Sequence, residues 1–365
     1  MDKILTSRQG PLVAGGVLGA LAALLVWWGN PANMGFCAAC FTRDIAGALG
    51  LHRAGIVQYL RPEIPAAILG AFASALFFRE YAPRGGSSPL VRFFLGVCAM
   101  FGALVFLGCP WRAYLRVAGG DWNALYGIGG LAVGALIGIA FLWNGFSLGA
   151  AERNPKATGL VMPVIAVILL ALVVLKPLFG PVGSDGAATG PIFFSKEGPG
   201  AAHAPFLISL AGGLIIGWLA QRSRFCTVGA LRDLFMLRDG YLFRGIVSFT
   251  VAAFVVNYAL GQFHPGFEKQ PIAHTQELWN FLGMVLSGLA FTLAGGCPGR
   301  QLIMAGEGDA DAGVFVLGLL TGAAFAHNFS AASSGAGVGP WGIPVTIASL
   351  VVCLLIGFSC TRKQA

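Results

Sequence analysis

Charge is the scarcest property of this chain. Of its 365 residues only 10% are Asp, Glu, Lys or Arg, while 56% are apolar and the mean hydropathy is +0.77. A water-soluble domain carries about a quarter charged residues, so that class is excluded and a membrane protein is indicated. Acid is rarer than base, 15 residues against 23, for a net charge of +8. The basic residues are spread through short loops between apolar runs, a distribution that fixes membrane topology and argues against nucleic-acid binding. No apolar run holds a pair of carboxylates that would suggest a proton relay. Glu63 comes nearest, at the start of the second run, where an interfacial position accounts for it. There is no G-x-x-x-x-G-K-[ST] phosphate cradle. The five histidines, His52, His203, His264, His274 and His327, form no ligand-spaced cluster with cysteine, so neither a metal nor a cofactor is expected.

Long apolar runs are what the chain has instead. Runs near the ~17 to 25 residues that cross hydrocarbon fall at about 10–28, 64–78, 90–107, 121–143, 159–175, 205–219, 244–260, 278–294, 313–328 and 341–358. This predicts an all-α polytopic membrane protein with ten spans, five per half. The first run follows Lys3 and Arg8 but lacks a small-residue cleavage site, so it is expected to be retained as a span. With the amino terminus inside, 15 Lys and Arg fall on the cytoplasmic side, Arg362 and Lys363 among them, against 8 on the other. Both termini are therefore expected in the cytoplasm.

The halves repeat each other. Phe36-Cys37 followed by Arg43-Asp44 returns 189 residues later as Phe225-Cys226 followed by Arg232-Asp233. Gly108-Cys109-Pro110 with Arg112 returns 188 residues later as Gly296-Cys297-Pro298 with Arg300. Gly120-Asp121, Gly130 and Gly134 recur as Gly308-Asp309, Gly318 and Gly322 at the same 188. Five spans is an odd number, so the second copy enters the membrane in the opposite sense. That predicts an inverted repeat, residues 1–180 and 205–365, joined by a Gly-, Pro- and Ala-rich linker over 181–204, with a site near the bilayer midplane. Phe193-Phe194 of the linker is placed at the membrane interface. The glycine spacings read as close helix packing without chemistry.

The stretches 30–50, 109–119, 223–240 and 297–306 are too polar to be spans, yet each holds a helical run. Four short re-entrant or broken helices are expected, carrying the cysteines. Pro110 and Pro298 favour the first helical position, placing Cys109 and Cys297 at helix N-termini, where free N–H groups attract anions and thiolates. Inversion puts Cys37 and Cys109 towards the outer face and Cys226 and Cys297 towards the inner one. A polarizable sulfur- or selenium-containing anion could pass between such thiols through contacts too weak to trap it. Arg43, Arg112, Arg232 and Arg300 would draw the anion in near the mouths, with Asp44 and Asp233 holding their neighbouring arginines. The alternative for the duplicated cysteines is inherited packing, and for the arginines ordinary topology charges. Cys98, Cys353 and Cys360 have no counterpart and read as buried small hydrophobes. Cys37-x-x-Cys40 also permits redox chemistry, although Gly229 stands where Cys40 would recur.

These paired F-C…R-D and G-C-P elements in a ten-span inverted frame resemble the YeeE/YedE family of sulfur-transport membrane proteins, most closely the YedE branch associated with selenium metabolism. The resemblance covers nearly the whole chain. It implies a transporter, not an enzyme, that imports thiosulfate or a selenium compound across a bacterial inner membrane, with Cys37, Cys109, Cys226 and Cys297 handling the anion transiently. It also implies a small TusA-like cytoplasmic sulfur-carrier protein as partner. Two other functions stay open on the residues alone: a membrane thiol oxidoreductase relaying electrons through Cys37, Cys40 and Cys109, and a passive channel for a small solute.

Overall fold

A computed structural model describes residues 2–176 and 192–361. Linker residues 181–191 and the basic pair Arg362 and Lys363 lie outside the described residues. Among the described residues the regular elements are helices apart from one two-residue antiparallel pairing, Arg84–Gly85 with Glu152–Arg153, and isolated bridges. The first half runs through α1 (Gly10–Trp27), α2 (Ala38–Ala48), α3 (Glu63–Phe77), α4 (Pro89–Phe106), α5 (Pro110–Ala118), α6 (Asn123–Trp143) and α7 (Val161–Leu175). The second runs through α8 (Phe206–Ser223), α9 (Thr227–Arg232), α10 (Tyr241–Ala259), α11 (Glu277–Ala294), α12 (Pro298–Gly306), α13 (Ala310–Asn328) and α14 (Gly342–Ser359).

Nine stretches among the described residues are long and apolar enough to cross a membrane, so the protein is an all-α polytopic membrane protein. The tenth expected span is α3, with 15 residues. At 1.5 Å per residue it measures about 22 Å, short of the ~30 Å hydrocarbon layer. The four polar stretches are indeed short helices: α2, α5, α9 and α12 have 11, 9, 6 and 9 residues. Three residues separate α4 from α5 and α11 from α12. The first turns left-handed at Leu107 (φ 63°) and the second at Gly295 (φ 87°), each ending a long helix so that a short one can start.

Packing mirrors the sequence repeat. Helix α1 lies on α10 and α8 on α3; α6 lies on α11 and α13 on α4; α5 meets α10 and α12 meets α3. Exchanging each first-half helix for its counterpart turns one pairing into the other, while α4 packs on α11 at the centre. The recurrent glycines explain the closest approach. Gly130 and Gly134 rest on the carbonyls of Phe281 and Val285, and Gly318 and Gly322 on those of Phe93 and Val97, acceptors that are themselves 188 residues apart. Only α7 and α14 break the pattern, α7 packing on α3 and α14 on α4 and α11.

Bonds between loops sort them onto two faces. On one face Arg8 pairs with Asp239, Glu80 with Arg222, and Arg84 with Asp309. On the other, Ser195 N donates to Gln58 O at 2.8 Å, Gly266 N to Gly120 O at 2.9 Å, and Asn328 Nδ2 to Leu51 O at 2.8 Å. The segments that precede α1 and α8 therefore lie on opposite faces. The described part of the linker lies against the first half: Phe193 N donates to Ala48 O, and the Phe193 ring stacks under Arg53.

Substituting Gly134→Leu or Gly318→Leu, each of which forces a side chain into a carbonyl of the opposing helix, is expected to cost about 1–3 kcal/mol. Thermal melting in detergent should fall for both, while Gly55→Ala, with open space around it, should melt with the parent. Unchanged melting of the two leucine variants would contradict the glycine-mediated packing.

Candidate functional site

Each short helix begins at a cysteine. Cys37 and Cys226 are extended N-cap residues of α2 and α9, and their sulfurs accept from Cys40 N at 3.3 Å and Gly229 N at 3.2 Å. Cys109 and Cys297 are extended N-caps of α5 and α12, followed in each case by proline at the first helical position. This is the geometry that proline imposes, since it fixes its own φ and keeps the preceding residue extended.

The helix starts converge in pairs. Cys37 Sγ lies 3.6 Å from Cys109 Sγ, and Cys226 Sγ lies 3.8 Å from Cys297 Sγ. All four are buried free thiols. Cys109 also faces the backbone N–H groups of Arg112 and Ala39, and Cys297 those of Arg300 and Thr227. The first pair hangs from the face of the linker, the second from the opposite face. Cys40 joins the first cluster, in contact with Cys37 and 3.8 Å from Arg112 Nη1. Cys98 and Cys353, without repeat counterparts, meet each other and Ser349 where α4 packs on α14.

The four arginines are placed unequally. Arg43 is buried, bound to Asp44, whose other oxygen takes Arg61 Nε at 2.8 Å. Arg61 goes on to the carbonyls of Ala202 and Pro199, tying the linker to this network. Arg43 also lines a cavity of about 630 Å³ on the linker face, together with Leu107, Ile272, His327 and Ser333. Arg232 binds Asp233 as expected, with its side chain 41% exposed. Arg112 and Arg300 differ most. Arg300 bonds both oxygens of Glu307 at 3.0 and 3.2 Å. Arg112 is fully buried and donates to the carbonyls of Asn33, Leu107 and Ile272; among the described residues no carboxylate pairs with it. The reason is in the repeat: Gly119 stands where the second half has Glu307.

Two expectations need correction. Arg112 does not stand at a mouth: it is buried inside the first cluster, where its donors meet the carbonyl of Leu107 at the end of α4 and the loop carbonyls of Asn33 and Ile272. Glu63 is not interfacial. It is wholly buried, one oxygen accepting from Asn30 and Ser209 at 2.8 Å and the other without a partner among the described residues, because α3 starts inside the protein against α8. Sequence reading also missed Arg61, Glu307 and Trp111. For Glu307 and Trp111 a signal existed, since both sit where the repeat breaks, opposite Gly119 and Gly299.

Comparison with known proteins bears on the second half. Residues 222–357, which include Cys226 and Cys297, match the family described as Sulphur transport. The family resembled by the cysteine motifs is the one found. The sulphur-transport match is joined by the thiosulfate transporter TsuA of Spirochaeta thermophila, 31% identical over 96 residues, and that of Escherichia coli, 30% identical over 102 residues. These alignments cover 26% and 28% of this chain and 28% of each relative.

Mild oxidation with copper–phenanthroline is expected to crosslink Cys37 to Cys109 and Cys226 to Cys297, read by mass spectrometry of non-reduced peptides. Crosslinks that instead join one pair to the other would contradict the observed separation.

Proposed function

We propose that the protein imports a small sulfur- or selenium-containing anion, thiosulfate or a selenium analogue, across the bacterial inner membrane by way of Cys37, Cys109, Cys226 and Cys297. The observation that carries this reading is the placement of two close thiol pairs, 3.6 and 3.8 Å between sulfurs, hung from opposite faces. The names of the relatives support a sulfur oxyanion as cargo.

The chemistry suits such an anion. A thiol donates only a weak hydrogen bond, and a polarizable sulfur at the anion's end meets it without being trapped, as passage through successive sites requires. Backbone N–H groups at the starts of α5 and α12 add attraction for negative charge. Arg112, with no carboxylate partner among the described residues, strengthens the first site. Arg300, neutralised by Glu307, leaves the second weaker. Pro110 and Pro298 hold Cys109 and Cys297 in place, and Asp44 and Asp233 hold Arg43 and Arg232.

In this reading residues 1–180 and 205–365 form an inverted repeat about the segment 181–204. The face bearing most of the Lys and Arg, opposite the linker, is cytoplasmic together with both termini. The anion arrives at the 630 Å³ cavity beside Arg43 and leaves past Cys297, where a TusA-like sulfur carrier would receive it. A second reading, a membrane thiol oxidoreductase, draws on the Cys37, Cys40 and Cys109 cluster. Alkylation before and after reduction separates the two, since a resting disulfide belongs to the second.

Uptake of labelled thiosulfate into proteoliposomes tests the proposal. The parent should show saturable uptake that an unlabelled selenium analogue suppresses, and Cys109→Ala and Cys297→Ala should each lower it about tenfold or more. No uptake by the parent would end the transport reading, non-saturating uptake would favour a passive channel, and intact uptake in both variants would end the role of the thiols.

A further inference from the structure

Trp111 stands two residues after Cys109 on α5 and is 1% exposed. Its ring lies 5.4 Å from Phe36, the residue before Cys37, and 5.3 Å from Phe225, the residue before Cys226. Phe249 of α10 completes the cluster, 6.1 Å from Trp111 and 5.8 Å from Phe225. On a further side the indole rests on Gly299, two residues after Cys297, where a Cβ would come 2.9 Å from Cε2 and 3.3 Å from Nε1. One side chain thus touches the immediate sequence neighbourhood of Cys37, Cys226 and Cys297 while sharing a helix with Cys109. It occupies the ground between the two thiol pairs.

Gly299 is also the position that matches Trp111 in the repeat. Counterparts that face each other across a pseudo-two-fold axis compete for the same space, and here a tryptophan fills the room that the glycine vacates. A ring packed on three other aromatic rings leaves no gap for water or an ion. Yet the indole N–H, buried on the edge that faces α12, has no hydrogen-bond partner among the described residues. A buried donor left unmade carries its full desolvation penalty, and in a native protein such a group calls for an explanation.

We propose that Trp111 is the gate between the two thiol pairs and a transient ligand of the anion. At rest the indole separates Cys37 and Cys109 from Cys226 and Cys297, and its Nε1–H donates to the anion as it crosses from one pair to the other. A neutral donor suits this point, because a cation midway would hold the anion and stop it. Gly299, with no side chain, is what gives the indole its place at this point. The ligand role rests on the transport reading; the partition does not.

Thiol labelling reads the partition without transport. A small charged methanethiosulfonate is applied to intact cells and, separately, to inverted membrane vesicles, and labelled cysteines are mapped by mass spectrometry. From either face the parent should be labelled on one of the two pairs at most, and Trp111→Ala on both. Label on both pairs from one face in the parent, or on a single pair in Trp111→Ala, overturns the gate; Trp111→Leu takes the place of the alanine variant if that variant does not elute as the parent does. Trp111→Phe keeps a ring and loses the N–H, so it should stay sealed in the labelling assay while thiosulfate uptake into proteoliposomes falls about tenfold or more. Uptake equal to the parent overturns the ligand role. A parent that takes up no thiosulfate overturns the ligand role together with the transport reading, while labelling still decides the gate.

Discussion

A helix that starts inside a membrane protein leaves backbone N–H groups without partners, and hydrocarbon offers no water to satisfy them. Here α2, α5, α9 and α12 all start this way, so each half must shield what the other exposes. The long helices do the shielding by packing across the halves, α1 on α10, α8 on α3, α6 on α11 and α13 on α4. At the starts themselves Cys37 and Cys226 answer the need locally, each sulfur accepting one of the N–H groups three residues on. Proline answers it at α5 and α12 by having no N–H to satisfy. The residues with reactive chemistry are therefore the same residues that let the chain turn in the middle of the bundle.

This coupling explains why the cysteine motifs were readable. F-C…R-D and G-C-P each combine a cap with a charged residue one or two turns on, and the interval of 188 or 189 marks them as one device used twice. Span positions were readable too, since every observed long helix falls within a few residues of an apolar run; α4 and α11, Pro89–Phe106 and Glu277–Ala294, keep the interval at both ends. Composition alone hid the depth of charged groups. Arg43, Arg61, Arg112, Arg116, Asp44, Asp121 and Glu63 are all buried, and hydropathy counts a charge in the same way whether it faces water or a carbonyl inside the fold. Which thiols meet was likewise beyond a linear reading, because Cys37 and Cys109 are 72 residues apart and joined only by the packing of α2 against the start of α5.

The positions where the copies differ carry as much meaning as those where they agree. Exact symmetry would give both thiol pairs the same affinity and put two identical side chains at the crossing point. Three of the departures from symmetry around the cysteines bear on the thiols, the arginines and the ground between them: Cys40 against Gly229, Gly119 against Glu307, and Trp111 against Gly299. The first two make the two sides of the site unequal. They leave the linker-face cluster with an extra thiol and with a buried guanidinium that no described carboxylate neutralises, while Glu307 closes off the charge of Arg300 and is shared with Arg224.

An anion on the proposed route therefore meets a site with uncompensated positive charge before one whose charge is already matched. Two sites of unequal strength do not drive net movement, because equilibrium across a passive path is set by the two solutions and not by the protein. What inequality does set is occupancy: the stronger site fills at low concentration on its own face, and the weaker one empties readily on the other. A scavenging protein gains from that order only if the stronger site faces the dilute supply. In the proposed reading the linker face, with its cavity beside Arg43 and fewer basic loop residues, is the outer face by the charge rule. On that orientation the unequal arginines put capture on the outer side of the proposed route and release on the inner side.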